Sequence, residues 1–384
     1  MSATEIDAVA KPQALEARIT LPRAAAYVQW LVRHWRDEGV DVEEPAPGQV
    51  RLSLSDVGVV ELNVAATRQL DCRLVPASAR MGELMQLSLT EHLAEFADEM
   101  AWPDGSWDVL WSGQAPRSPG QLQVLQVCSN RELTPLMRRL RLQGDGVRAF
   151  ADGLHVRMLL PTPGEAPAWP EVQQDGRLQW PVGKPPMPRR TYTIRAINFE
   201  EQWMDVDVLL HPDAKPGVQP DGQSHGQSDV RAEAGASPGA GWALQAAPGS
   251  TVGVLSPAGG LAPRAARRVL VADACALPAA ARLVQAAPDT PPSGLLLWVA
   301  NPQECAAWDA VAGVDPAWLH DGAPGASPAG IAQVLRWLAL QDWSGTDTVL
   351  WVAGGLPLTQ AVRSWVAGQP HLARVRCMIH TYWR

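Results

Sequence analysis

The last third of the chain carries the pattern that most restricts its fold. Four short and almost uninterrupted apolar runs occur there, RVLVA at 268–272, GLLLWVA at 294–300, TVLWVA at 348–353 and VRCMIHT at 375–381. Helical segments separate them, at 277–287, 329–340 and 358–367. Buried strands that alternate with helices predict a parallel α/β sheet. Ligands bind such sheets at the carboxyl ends of the strands, which here are 272–275, 301–304 and 354–355.

The region before this sheet is rich in short strands. Its apolar segments, separated by Pro and Gly, lie at 136–142, 154–161, 190–195, 205–211 and 250–255. In the fourth segment, Val206, Val208 and Leu210 fall on one face. Short strands with such turns predict a small antiparallel β-barrel. We therefore expect a barrel domain at 122–262 and an α/β domain at 263–384.

The first 110 residues form a separate pattern. Two segments have apolar residues at helical spacing, namely Tyr27, Trp30, Leu31, His34 and Trp35, and later Leu89, His92, Leu93, Phe96 and Ala97. Three alternating segments lie between them, at 50–54, 62–64 and 70–74. A helix, three strands and a second helix predict a small α+β domain at 1–110. Residues 111–121 are dominated by Ser, Gly and Pro and predict a linker.

A polar segment interrupts the barrel region at about 212–238. It contains almost no large apolar residue, so it cannot bury enough surface to offset the entropy of ordering. We therefore expect a disordered insertion. His225, within a tract of Ser, Gln and Gly, is interpreted as a solvated loop residue.

Charge and cysteine content exclude several classes of protein. The net charge of −8 argues against a protein that coats nucleic acid, so an anionic ligand needs a local cluster of Arg and Lys. The five cysteines are far apart and have no CxxC spacing, which excludes by motif a zinc ribbon and a cysteine-held iron–sulfur cluster. No resident metal is expected. Neither a signal-peptide pattern nor an apolar run of about 18 residues occurs, so we expect a cytoplasmic protein without a membrane span.

One short motif in the barrel region carries chemistry. Arg190-Thr191-Tyr192-Thr193-Ile194-Arg195 contains R-x-Y-T at a strand end. Taken alone, it is equally compatible with a strand that carries a buried tyrosine and two surface arginines. It is similar to the flavin-binding signature of ferredoxin–NADP reductase-like flavoproteins, which also place a barrel before an α/β domain. In that setting Arg190 pairs with a flavin phosphate, Tyr192 stacks on the isoalloxazine ring, and Thr193 bonds its N5 edge.

The wider pattern resembles the siderophore-interacting protein family. R-x-Y-T-x-R is followed by DVDVLLH, by Asp273-Ala274-Cys275-Ala276-Leu277-Pro278-Ala279 (D-x-x-A-L-P-A), by Trp351-Val352-Ala353-Gly354 (W-x-A-G), and by a terminal Tyr382-Trp383-Arg384. These matches span about 120–384. The N-terminal unit separately resembles a small domain of uncharacterised function that is often fused to these proteins. Its His34 and His92 are interpreted as packing residues.

The resemblance implies a set of site residues. Tyr192 and Thr193 are the catalytic candidates, and cofactor contacts are implied for Arg190, Tyr192, Thr193, His211, Gly239, Ala240, Trp242, Asp273 and Tyr382. Cationic candidates for an anionic substrate are Lys184, Arg189, Arg195, Arg157 and Arg384. Asp273 has a second interpretation as the N-cap of the helix that begins at Leu277.

The chain departs from the family pattern at two positions. The family's G-P-A-S-x-W-A reads Ser237-Pro238-Gly239-Ala240-Gly241-Trp242-Ala243, so Ala240 replaces a serine. Backbone amides at a helix start still bind an anion, which predicts weakened rather than lost flavin affinity. Gly355 stands where the family tends to carry Glu.

The resemblance implies an FAD-dependent reductase that passes electrons from NADPH or NADH to iron(III) in a ferric siderophore and releases iron(II). Two alternatives remain open from the sequence. One is a non-catalytic siderophore- or partner-binding protein that has lost flavin. The other is a flavoreductase that passes its electrons to a protein acceptor such as ferredoxin.

Overall fold

A computed structural model of the chain describes residues 14–37, 42–54, 57–102, 105–112, 122–151, 153–172, 178–210, 238–258, 265–308, 314–345 and 347–383. The chain divides into two compact units, Met1–Gln121 with Pro170–Gln179 and Leu122–Trp169 with Trp180–Arg384. Apart from Pro238, the expected insertion at 212–238 lies outside the described residues, as does most of the expected linker. Within the described part of the chain, no helix is long and apolar enough to cross a lipid bilayer.

The N-terminal unit contains a six-stranded antiparallel sheet and two helices. The strands are β1 (Leu15–Thr20), β2 (Val42–Ala46), β3 (Gln49–Leu54), β4 (Gly58–Ala66), β5 (Gln69–Pro76) and β6 (Asp108–Ser112), and the helices are α1 (Ala24–Asp37) and α2 (Ala79–Glu99). The strand order is β2-β3-β4-β5-β1-β6. Helices and sheet share one apolar core, which includes Tyr27, Leu31, Leu93 and Phe96. The predicted α+β class is confirmed.

Three strands of this sheet have no counterpart in the sequence prediction. They are β1, β2 and β6, and β1 is an inner strand that pairs with β5 on one side and β6 on the other. Only Ala17 and Ile19 of β1 are buried apolar residues, which is too short an alternation to identify a strand. Because β6 extends to Ser112, the expected linker overlaps the last strand at its first two residues.

The two predicted packing histidines lie in an aromatic cluster. The ring centroids of His34 and His92 are 5.1 Å apart, and Trp30 stacks on His34 at 5.2 Å. Burial, together with repulsion from His34, lowers the pKa of His92 to about 4. His92 is therefore neutral near neutral pH, as expected for a packing residue.

The C-terminal unit contains a closed antiparallel barrel. Its elements are β7 (Gln123–Thr134), β8 (Met137–Gln143), β9 (His155–Leu159), β12 (Arg189–Asn198), β13 (Trp203–Leu209), α3 (Pro238–Gln245) and β14 (Thr251–Ala258). Between β9 and β12 the chain forms the short pair β10 (Glu171–Val172) and β11 (Leu178–Gln179), which belongs to the first unit. The barrel order is β12-β13-β8-β7-β14-β9, while β10 and β11 form a sheet of their own. Val206 and Val208 are buried in the barrel core, as their alternation predicted, while Leu210 is buried against Ala240 of α3. The barrel is confirmed.

The opposite face of β13 is also buried, which the alternation did not predict. Asp207 accepts two hydrogen bonds from Arg139 at 2.6 and 2.7 Å, and Asp205 accepts two from Arg141 at 2.8 and 2.9 Å. The guanidinium of Arg141 also lies 3.6 Å from the centroid of the Trp203 ring. These pairs compensate the desolvation of two buried aspartates.

The chain ends in a five-stranded parallel sheet. Its strands are β15 (Arg267–Asp273), β16 (Gly294–Val299), β17 (Ala317–His320), β18 (Thr348–Gly355) and β19 (Arg376–Trp383), and its helices are α4 (Leu277–Gln285), α5 (Pro328–Ala339) and α6 (Leu356–Ala367). The order is β17-β16-β15-β18-β19, and every neighbouring pair is parallel. Apolar cores cover both faces of the sheet. The predicted α/β class is confirmed. The four-residue edge strand β17 was not predicted, because its apolar run is too short.

Candidate functional site

The predicted flavin motif lies in β12, where successive side chains point to opposite faces. Arg190 and Tyr192 share one face. There, a Cβ atom built on Gly239 would overlap the hydroxyl oxygen of Tyr192 and would lie 3.7 Å from Cγ of Arg190. The structure therefore brings Arg190, Tyr192 and the N-terminal end of α3 together, and a glycine makes this close approach possible.

This cluster fits a flavin and its phosphates. The Arg190 side chain is exposed and donates a 2.7 Å hydrogen bond to the carbonyl of Arg189. The start of a helix adds free amides and a positive partial charge, both of which favour a phosphate. Burial raises the pKa of the half-buried Tyr192 well above its ordinary value, so its ring stays neutral.

Two residues expected to contact the cofactor have other surroundings. Trp242 is 6% exposed and packs in the barrel core, so its ring holds α3 against the barrel. Ala240 is buried and packs with Leu210 and Leu244. Because Ala240 has no hydroxyl, the first turn of α3 offers backbone amides where the family pattern adds a serine. His211 lies outside the described residues.

On the other face of β12, Thr193 begins a chain of hydrogen bonds. Its Oγ1 lies 3.3 Å from Nδ1 of His155, its direct cross-strand neighbour in β9. Nε2 of His155 lies 3.0 Å from the hydroxyl of Tyr382 in β19, and the two rings meet edge to face with centroids 5.2 Å apart. The structure thus joins two of the predicted site residues, Thr193 and Tyr382, through a histidine that the sequence prediction did not include.

All three hydrogen-bonded residues, Thr193, His155 and Tyr382, are uncharged near neutral pH. Burial lowers the pKa of His155 to about 4, and repulsion from His380 and Arg282 acts in the same direction. Burial also raises the pKa of Tyr382 well above its ordinary value. His155 therefore offers one donor nitrogen and one acceptor nitrogen to its two hydroxyl partners.

The buried carboxylate of Asp273 accepts hydrogen bonds from three separate segments of the α/β domain. Its Oδ1 accepts hydrogen bonds from the amides of Cys275 and Ala276, and its Oδ2 accepts from the amide of Gly355 at 2.9 Å and from the Trp383 indole at 2.8 Å. The predicted N-cap role of Asp273 is wrong, because the N-cap of α4 is Ala276. Asp273 instead closes the turn that precedes the helix. With these four bonds and 1% exposure, its carboxylate has little capacity left for a cofactor.

The packing around position 355 explains why a glycine stands there. A Cβ atom built there would lie 2.5 Å from Cζ2 of Trp383. The indole of Trp383 therefore occupies the space that any side chain at 355 would need.

A crevice of about 200 Å³ opens at the carboxyl ends of the parallel strands. Its walls come from both domains of the unit and include Met137, Leu209, Asp273, Val299 and Glu304. The charged residues among its described lining are Asp273 and Glu304, both carboxylates. Glu304 is 3% exposed and accepts a hydrogen bond from Thr134 in β7.

The five cationic candidates for substrate binding have different surroundings in the structure. Arg157 and Arg189 lie close together on the face of Thr193, and burial followed by repulsion from Arg189 lowers the pKa of Arg157 to about 10. Lys184 is exposed in the turn before β12. Arg195 is 2% exposed and donates a 2.7 Å hydrogen bond to Gln285 of α4, so it holds the barrel against the α/β domain and does not face a substrate. Arg384 lies outside the described residues.

The sequence carried only a weak signal for His155. Strand alternation places His155 and Arg157 on one face of 154–161. The neighbouring strand and its register are needed to place Thr193 opposite His155. The partner Tyr382 is 227 residues away, which no local pattern reports.

Comparison with known proteins places most of the C-terminal unit in one family. Residues 126–261 match the family model described as "Siderophore-interacting FAD-binding domain", and residues 265–384 match the one described as "Siderophore-interacting protein". Ferric vibriobactin reductase ViuB of Vibrio cholerae is 23% identical over 171 residues, which are 43% of this chain and 54% of that protein. The chain thus spans about half the length of the curated relatives it matches.

Two solved structures share the fold of this unit. A siderophore utilization protein from T. fusca is 26% identical, with a TM-score of 0.53, and the match covers 70% of this chain and 94% of that one. The siderophore-interacting protein SipS from Aeromonas hydrophila is 23% identical, with a TM-score of 0.52, and the match covers 69% and 92% of the two chains.

Proposed function

Because this chain belongs to the siderophore-interacting protein family, we propose that it is an FAD-dependent reductase of iron(III) held in a siderophore. The electrons come from a nicotinamide nucleotide and the product is iron(II). Hard oxygen donors such as catecholates bind iron(III) far better than iron(II), so reduction releases the metal. The protein itself needs no iron ligand.

The observation that carries this proposal is the convergence of Arg190, Tyr192 and Gly239. Arg190 and the amides at the start of α3 would hold the flavin phosphates, and the neutral ring of Tyr192 would support the isoalloxazine. Bound FAD supplies the redox chemistry, because it accepts a hydride and gives up its electrons one at a time. Following the family pattern, Thr193 would hydrogen-bond the N5 edge of that flavin.

The cationic pair Arg157 and Arg189 recognises the substrate. Ferric catecholates are anionic. Burial is the main cause of the lowered pKa of Arg157, and repulsion from Arg189 adds to it. A bound anion relieves that repulsion. Lys184, in the exposed turn before β12, adds a third charge when a large substrate extends in that direction.

The crevice at the carboxyl ends of the strands receives the electron donor. Its charged lining consists of Asp273 and Glu304, so the described residues provide no cation for a 2′-phosphate. We therefore propose NADH in preference to NADPH. Ferredoxin, which needs no such crevice, is the alternative donor.

The flavin content of the purified protein tests the proposal. We expect a yellow protein that releases FAD, and not FMN, on heating, and that reduces ferric catecholates with NADH in the presence of an iron(II) chelator. Arg190→Ala should lose most of the flavin, whereas Arg131→Ala, an exposed arginine of β7 in the same barrel, should keep it. A colourless protein that takes up no added FAD but binds a siderophore would instead favour a non-catalytic binding protein.

A further inference from the structure

The hydrogen-bonded chain Thr193–His155–Tyr382 runs in either of two directions. In the first, Tyr382 donates to Nε2 of His155, Nδ1 donates to Thr193, and the hydroxyl proton of Thr193 is free for an outside acceptor. In the second, Thr193 donates to Nδ1, Nε2 donates to Tyr382, and Oγ1 of Thr193 is free to accept. A neutral imidazole has one N–H, so each direction requires a different tautomer of His155.

These two directions suit the two states of a flavin N5 atom. Oxidised flavin has a bare N5 that accepts a hydrogen bond, and reduced flavin has an N5–H that donates one. The hydroxyl of Thr193 can donate to one partner and accept from the other in both states if its partner His155 changes tautomer. Among the described residues, the Thr193 side chain is hydrogen-bonded to His155, whose imidazole has this capacity.

We propose that His155 is a positioning residue that acts through Thr193 and conducts the proton that leaves flavin N5 to Tyr382. The inference rests on the function proposed above, because it needs FAD at Thr193. The need for a proton path follows from the acceptor. Two iron(III) ions take two electrons and no proton, so one proton has to leave N5 for every two iron(II) ions formed.

The residues transfer this proton in a balanced sequence. Oγ1 of Thr193 accepts the N5 proton, and the former hydroxyl proton of Thr193 passes to Nδ1 of His155. The Nε2 proton of His155 passes to the oxygen of Tyr382, and the former hydroxyl proton of Tyr382 leaves to water. Every residue ends with the number of protons it had at the start, and His155 ends in the other tautomer.

The surroundings keep this chain neutral. Arg282 and His380 are the charged or titratable groups that act on His155, and Asp273 and Cys275 are those that act on Tyr382. A cation beside the imidazole opposes its protonation, and a carboxylate near the phenol opposes its ionisation. Protons can therefore move along these hydrogen bonds while Thr193, His155 and Tyr382 all remain neutral.

Nuclear magnetic resonance of the ring nitrogens of His155 tests the tautomer change directly. The FAD-loaded protein is labelled with ¹⁵N-histidine, its His155 signals are assigned by their loss in His155→Phe, and spectra are recorded before and after reduction with dithionite. We expect Nδ1–H in the oxidised protein and Nε2–H in the reduced one. The same tautomer in both states, or an imidazolium in either, would overturn the inference.

Rapid-reaction kinetics provide an independent readout. The pre-reduced protein is mixed with excess ferric catecholate, and the reappearance of oxidised flavin is followed in H₂O and D₂O. We expect Tyr382→Phe, which loses only the hydroxyl, to slow this step by about tenfold or more and to abolish most of its solvent isotope effect. His371 is an exposed histidine that takes no part in the hydrogen bonds between Thr193, His155 and Tyr382. His371→Asn should therefore leave both the rate and the solvent isotope effect unchanged. Unchanged rates in Tyr382→Phe would count against the path.

Failure of the two proposals can be distinguished. A protein that binds no FAD contradicts both of them. A flavin-loaded and active protein in which His155 keeps one tautomer contradicts only the role of His155.

Discussion

The indole N–H of Trp383 donates a 2.8 Å hydrogen bond to Oδ2 of Asp273, which joins the last strand of the sheet to the end of its central strand. The bond passes over β18, which lies between the two strands, and the amide of Gly355 in β18 donates to the same oxygen. One buried carboxylate thus holds three strand ends together beside the crevice. The stability of this edge depends on the charge of Asp273.

The first prediction concerns that charge. Burial raises the pKa of Asp273 from 3.8 to about 6, although the hydrogen bonds from Trp383 and three amides act to lower it. A carboxyl with a raised folded-state pKa contributes stability while protonated and loses it as pH rises through that pKa. We expect the melting-temperature advantage of the wild type over Asp273→Ala to shrink between pH 4.5 and 7.5, by the equivalent of up to about 3 kcal/mol.

The control for this measurement is Asp289→Ala, at an exposed carboxylate after α4. Because this side chain is exposed, its removal should change the melting temperature little. An advantage of the wild type over Asp273→Ala that stays constant or grows toward pH 7.5 would contradict the expected direction.

The second prediction concerns the close approach of α3 to Tyr192. Gly239→Ala places a methyl group on the hydroxyl of Tyr192 and should displace either the ring or the helix, so we expect it to lower the FAD content at least severalfold. Tyr192→Phe removes the overlapping oxygen, and the next ring atom would then lie at an ordinary 3.4 Å. The double variant should therefore recover flavin that Gly239→Ala loses. Equal losses in the single and double variants would show that the overlap is not the cause.

The third prediction concerns the buried ion pair of the barrel wall. The side chains of Arg139 and Asp207 are 7% and 1% exposed, so Arg139→Met leaves a buried carboxylate without its main partner. We expect the free energy of unfolding to fall by about 3–5 kcal/mol. Arg139→Met combined with Asp207→Leu should recover much of this loss. Glu132→Gln, at an exposed carboxylate 3.9 Å from the partly buried Arg138, serves as the control and should cost less than about 1 kcal/mol.

The fourth prediction concerns the extent of the N-terminal domain. A fragment of residues 14–113 should fold alone, because its six strands and two helices share one core. A fragment of residues 17–107 should not, since it lacks β6 and the first residues of β1, and so leaves β1 without one of its two neighbours. Circular dichroism and amide proton dispersion distinguish the two outcomes. A well-folded shorter fragment would mean that β6 adds little to the sheet.

Local periodicity in the sequence determined the class of each domain. Alternation placed Val206 and Val208 in the barrel core, and the apolar runs of β15, β16 and β18 predicted the parallel sheet. These signals are reliable because each element has to bury its own face whatever lies opposite. The R-x-Y-T motif likewise predicted the strand on which Arg190, Tyr192 and Thr193 lie.

Tertiary structure decided which of these residues meet. Strand register placed His155 opposite Thr193, and the last strand brought Tyr382 to the other side of the same imidazole. Packing of α4 on the barrel buried Arg195, which the sequence alone presented as a free cation. Pairing across long sequence separations depends on the relative placement of whole elements, and the apolar pattern of a single segment contains no information about its partner. The short strands β1, β2, β6 and β17 were missed for the same reason, because their neighbours in the sheet, more than their own few apolar residues, make them strands.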